Sequence, residues 1–286
     1  MHPHEAVWVF YVASVVAVDL VFGAGSAEGR PLLHAIVHLI LLALVLAGPR
    51  LCRTDTTRTT YRAAMTLVGL PIVFTSLAWV LPALHPEPYE WTWIASDRAL
   101  FGGDPTAMAG RLLTPAVTEV LQVVYSLFYF VPMAAVILAG RRSGRAVFER
   151  CLVTVQFGFL LSYLGYLLWP TLPPYRFLWH AEPLKGLWLT DRIHHLLDAA
   201  ELHQWDCFPS GHTMLSVISM VVVVRHAPRA AWWFVPLASA IVISTVALRY
   251  HYASDVIAGL VGALVALWLS GRVLGASAPA VTRSGS

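Results

Sequence analysis

Eight long apolar runs divide this chain, at approximately 6–22, 31–48, 61–82, 115–139, 148–169, 210–225, 231–248 and 253–272. Each holds roughly 17–24 residues, the length that crosses a bilayer core at 1.5 Å per helical residue. The runs are continuously apolar and do not alternate, so they do not read as barrel strands. In lipid such a run must be helical, because only then are its backbone groups hydrogen-bonded. The expected fold class is therefore all-α: a polytopic integral membrane bundle of about eight transmembrane helices. Composition agrees. Of 286 residues, 58% are hydrophobic and only 19 are Lys or Arg and 16 Asp or Glu, whereas soluble domains average about a quarter charged. The net charge of +3 is too small and too dispersed for a nucleic-acid binder.

The bases set the expected orientation. With the N-terminus inside, Arg50, Arg53, Arg58, Arg62, Arg141, Arg142, Arg145, Arg150, Arg225, Arg229, Arg272 and Arg283 fall in cytoplasmic connections, as the positive-inside rule requires. Both termini are then cytoplasmic. The first run could end as a signal peptide near Ala24–Ala27, but its start lacks the basic region such a peptide needs. No repeat or interdomain linker is visible, so residues 1–275 read as one transmembrane domain with outer segments at 83–114 and 170–209, followed by a loose cytoplasmic tail at 276–286. Cys52 and Cys151 lie at cytoplasmic loops and Cys207 outside, so no disulfide framework is implied.

Three polar clusters, remote in sequence, reach the same outer face in this topology. Pro170–Arg176 closes the fifth run, Phe208–His212 opens the sixth, and Arg249–Asp255 opens the eighth. Ser210 is a natural helix N-cap, and the amides of Ser210, Gly211 and His212 at a helix start can hold a phosphate oxygen. Gly211 permits close backbone approach. His251 and Asp255 are four apart and share a face if the eighth helix starts by His251, and there the carboxylate can fix the imidazole tautomer for attack on phosphorus. His212 faces this pair as proton donor to the leaving oxygen, an effect typically worth about 10²–10⁴ in rate. Arg176 and Arg249 offset charge on the transferring group. The outer histidines, including His180, His194, His195 and His203, lack tight metal-ligand spacing apart from the adjacent His194-His195 pair. The His34/His38 pair lacks a third ligand nearby in sequence and reads as packed within the bundle or facing the interface. This chemistry needs neither metal nor cofactor.

These residues resemble the type-2 phosphatidic acid phosphatase superfamily, whose signatures are Lys-x6-Arg-Pro, Pro-Ser-Gly-His and Ser-Arg-x5-His-x3-Asp. The second matches fully at Pro209–His212, and the third at Ser244, His251 and Asp255. Thr245 stands at the family's Arg, while Trp169 and Phe177 stand at the Lys and Pro of the first block. That pattern is similar to the branch of inositol phosphorylceramide synthases and, more distantly, sphingomyelin synthases. There the blocks read Pro-Pro-aromatic, as in Pro173-Pro174-Tyr175, and His-Tyr-x-x-Asp, as in His251–Asp255. Asp97-x3-Phe101-Gly102-x2-Pro105 resembles the same branch. The resemblance implies a six-helix core, His251 as nucleophile, Asp255 as its partner and His212 as proton donor and later acceptor. It further implies a phospholipid donor, with a lipid alcohol or water as acceptor. Tyr175, Tyr252, Asp97 and Glu119 are the expected substrate-lining residues. Two other readings stand beside headgroup transfer: a lipid phosphate or isoprenyl (di)phosphate phosphatase, and a transporter using Asp19, Glu119 and the His34/His38 pair as a polar path.

Overall fold

A computed structural model describes residues 1–22, 30–81, 89–181, 183–200 and 204–276. The proposed cleavage region at Ala24–Ala27, the outer-segment residues 83–88, His203, Arg283 and the tail from 277 lie outside the described residues. Within the described residues every apolar run is helical. In chain order the helices are α1 (Pro3–Phe22), α2 (Pro31–Leu51), α3 (Asp55–Ser76), α4 (Glu90–Phe101), α5 (Pro105–Gly110), α6 (Pro115–Ser126), α7 (Val131–Ser143), α8 (Arg145–Leu168), α9 (Pro174–Phe177), α10 (Thr190–Ala200), α11 (Gly211–His226), α12 (Ala231–Ala247) and α13 (Ala253–Ala276).

Local sequence explains the starts. Pro occupies a first-turn position in α2, α5, α6 and α9, where its missing N–H costs nothing. Thr54 and Thr57 close a reciprocal capping box on α3, and Thr114 caps α6 by accepting from the Val117 N–H.

Among the described residues, six helices are long and apolar enough to cross a membrane alone. The expected single helix at 115–139 is instead two pieces, Pro115–Tyr129 and Val131–Ser143, bent by 59°. Pro132 sits in the first turn of α7, where it cannot continue the preceding helix. The expected run at 210–225 is a 16-residue helix, α11. Its length of about 24 Å falls short of a bilayer core of about 30 Å. If the opposite end of α11 lies at the membrane surface, its first turn is recessed from the other.

α8 is the central strut, with 78% of its apolar window buried. On one side Val153, Phe157, Leu160 and Tyr163 join the core of α1, α2 and α3. On another, Leu152 and Val155 join that of α7, α11, α12 and α13. Arg62–Glu5 (2.9 Å) and Arg145–Asp55 (3.4 Å) tie helices together at one end of the bundle. The starts of α11 and α13 and the end of α8 meet at the other, joined there by the Tyr125 end of α6.

Candidate active site

The site is built where α11 and α13 begin. Phe208–Pro209 is a cis peptide, and the Phe208 ring stacks on Trp93 of α4 at 3.8 Å. Ser210 then caps α11, its hydroxyl accepting from the Thr213 N–H (3.2 Å). The Ser210 N–H donates to the Asp255 carbonyl oxygen (3.1 Å). That amide already has an acceptor, whereas the first-turn amides of Gly211 and His212 have no helical one. A Cβ on Gly211 would lie 2.4 Å from the Tyr166 hydroxyl oxygen, so any side chain there must displace that hydroxyl.

α12 ends by directing two amides, those of Tyr250 and His251, to the Thr245 carbonyl (2.9 and 3.0 Å). Arg249 occupies the left-handed region there, at φ 69°, a helix-end position that normally takes glycine. The reversal brings His251 back into the bundle at 4% exposure. Its Nδ1–H donates to the Cys207 carbonyl oxygen at 2.8 Å, while Asp255 Oδ2 stands 3.5 Å away. Asp255 thus flanks the ring, and the backbone of Cys207 is its closest acceptor. Oδ2 itself receives the Cys207 thiol (2.8 Å) and the Tyr252 N–H (2.9 Å). The Cys207 thiol is pushed well up by burial and by the Asp255 charge.

On its other edge, His251 Nε2 faces His212 Nδ1 at 3.4 Å. The His212 ring packs on Tyr125 and Phe128, with centroids at 4.5 and 4.0 Å. Tyr125 stacks in turn on Tyr250 (4.1 Å), whose hydroxyl meets Gln122 and His194.

The remaining expected site residues divide. Tyr175 reaches the site rim through its N–H, which donates to the Arg249 carbonyl (3.0 Å). Its hydroxyl and one nitrogen of Arg176 both bind Asp198 (2.7 and 3.0 Å). Tyr175, Arg249 and Tyr250 line a cavity of about 180 Å³ with Gln122, Thr190 and His194. A larger opening, about 580 Å³, lies at the opposite end beside Arg141 and Arg145, away from these groups.

The other three expected lining residues are engaged as follows. Asp97 accepts from the Ala253 and Ser254 amides at the start of α13 (2.9 and 2.7 Å). Glu119 accepts the amides of residues 187–190 and the Thr190 hydroxyl. The Tyr252 ring is buried with Ile94 and Cys207. Sequence reasoning missed Cys207, whose contribution to His251 is a carbonyl, and Tyr125, Phe128 and Gln122, which read as ordinary span residues.

Compared with known proteins, residues 91–269, more than half the chain, match the sequence profile of the PAP2 superfamily. None of the curated proteins and none of the solved structures compared matches the chain.

Proposed function

This chain belongs to the PAP2 superfamily, and we propose that it is an integral-membrane phosphotransferase that moves a phospholipid headgroup through a phospho-histidine at His251. One observation carries the reading: with Nδ1–H held by the Cys207 carbonyl, Nε2 is the bare lone pair, and it faces His212. In the first half-reaction Nε2 attacks phosphorus, the bond from phosphorus to the leaving alcohol breaks, and His212 supplies the proton that alcohol takes. Asp255 offsets the imidazolium charge formed. In the second, His212 takes the proton of an acceptor hydroxyl whose oxygen attacks phosphorus and frees Nε2. A gap of 3.4 Å holds one hydrogen bond and no phosphorus, so an entering phosphoryl group must part the rings. The Gly211 and His212 amides and the Arg249 and Arg176 guanidinium groups receive its oxygens.

Two features favour transfer to a lipid alcohol over hydrolysis. Trp169 and Thr245 replace two of the superfamily's cations, which suits a phosphodiester carrying less charge than a terminal phosphate. The cavity beside Tyr175 and Tyr250 suits a polyhydroxylated headgroup such as inositol phosphate. The arginine-rich end is cytoplasmic in this reading and the site extracytoplasmic. Vesicles of the purified protein with labelled phosphatidylinositol and ceramide should yield a new phospholipid, followed by mass spectrometry, and none with His251→Ala. Release of free phosphate or inositol phosphate without a new lipid would overturn transfer. Full turnover by His251→Ala would overturn the catalytic assignment.

A further inference from the structure

Outside the segment shared with the family, α1 and α2 carry a second set of buried ionisable groups that the phosphoryl chemistry does not use. Asp19, His34 and His38 are 5%, 0% and 0% exposed. The Asp19 carboxylate accepts from His34 Nδ1 at 2.9 and 3.2 Å. His38 Nδ1 donates to the His34 carbonyl oxygen at 2.8 Å. Both rings are thereby fixed as the Nδ1–H tautomer, which leaves each Nε2 with an acceptor lone pair. Neither Nε2 has a hydrogen-bond partner among the described residues, and the fully buried Tyr11 hydroxyl has none either. The three rings are neighbours: His34 and His38 lie 4.2 Å apart, and Tyr11 lies 5.8 Å from His38.

An imidazole whose Nδ1–H is held by a carboxylate or carbonyl, with Nε2 open, is the arrangement of a metal-bound histidine. A buried carboxylate also calls for a balancing charge. We propose that α1 and α2 bind a divalent transition metal through His34 Nε2, His38 Nε2 and the Tyr11 phenolate, with Asp19 orienting His34. Binding releases the phenolic proton to solvent. The metal's two positive charges are then matched by one phenolate and one carboxylate, leaving the site neutral within the membrane. Two imidazoles and an oxygen suit Zn²⁺ or Cu²⁺ and not Mg²⁺ or Ca²⁺, which take oxygen ligands.

Cys207, His251 and Asp255 also bring metal-ligating atoms together, within 4.8 Å of one another. The test must separate the two. Full-length protein in detergent, stripped with chelator and incubated with Zn²⁺, is gel-filtered and its metal counted by plasma mass spectrometry. About one equivalent is expected in the wild type and in Cys207→Ser, and less than about a tenth of that in the His34→Ala/His38→Ala double variant. Asp19→Asn keeps both ligands and should weaken binding about 10–100-fold, which serves if the double variant does not fold. Loading with Co²⁺ should give an absorption spectrum without a thiolate charge-transfer band. Zn²⁺ binding that Cys207→Ser abolishes, a thiolate band, or equal metal in wild type and the histidine variants would each overturn the proposal.

Discussion

Replacing Asp97 separates a residue that holds the site together from one that touches substrate. Its carboxylate is 2% exposed and accepts the N–H groups of Ala253 and Ser254 at 2.9 and 2.7 Å, along with the Ser254 hydroxyl. Those two amides open α13, so the helix itself offers them no acceptor. A hydrogen bond to a charged group stabilises by about 1.5–3 kcal/mol, so the two backbone bonds together contribute about 3–6 kcal/mol. Asp97→Ala strands both amides in a buried turn and should lose most of that. Asp97→Asn keeps one acceptor oxygen and should lose about half. The same turn follows His251 by two residues and carries Asp255, so kcat should fall with stability while KM stays near its wild-type value. Thermal unfolding in detergent, monitored by tryptophan fluorescence, reads the first effect and lipid turnover the second. If Asp97 lined the substrate instead, Asp97→Asn would raise KM and leave the unfolding temperature unchanged. That result would refute the capping role.

Cys207→Ser keeps both the carbonyl under His251 and a donor to Asp255, so turnover should be largely retained. Cys207→Ala loses one buried bond to a carboxylate, about 1.5–3 kcal/mol, and should slow turnover about tenfold to a hundredfold. Because burial and Asp255 raise the Cys207 pKa, its thiol stays protonated below that raised value and little thiolate exists at pH 7–9. Maleimide labelling of Cys207, read by mass spectrometry, should stay slow across that range and become fast only on unfolding; rapid labelling at pH 7 would contradict it. In Gly211→Ala the new methyl group meets the Tyr166 hydroxyl, an overpacking that costs about 1–3 kcal/mol. Tyr166→Phe in the same chain should recover part of the lost thermal stability, and no recovery would place the clash elsewhere. His212→Ala should slow turnover by about 10²–10⁴, measured against His251→Ala, which should form no phosphorylated protein on incubation with donor lipid.

The division between what the residues announced and what only the fold supplies follows the range of the interaction. Apolar runs are legible because lipid leaves the backbone one solution, and the Ser210 cap is legible because it acts within three residues. The spacing of His251 and Asp255 placed them on one face of a turn, and they do lie together. It could not say which acceptor takes Nδ1–H, since the winner at 2.8 Å is a backbone carbonyl 44 residues away, a group every residue carries. Asp97 and Glu119 show the same limit from the other side. Their residue type marked them as polar groups worth explaining, but what they satisfy is stray amides at 253–254 and 187–190, set by how the outer segments fold over the bundle. Arg176 was legible as a cation at the right face. The Asp198 carboxylate, 22 residues on, now holds one of its nitrogens, and an entering phosphate must compete with that pair. Arg249 is the sharpest case. Composition marks it as one of few bases on its face, yet its left-handed φ would have been assigned to glycine. An arginine held there, at the turn that aims His251, is the kind of local cost that persists where a site over-determines the backbone.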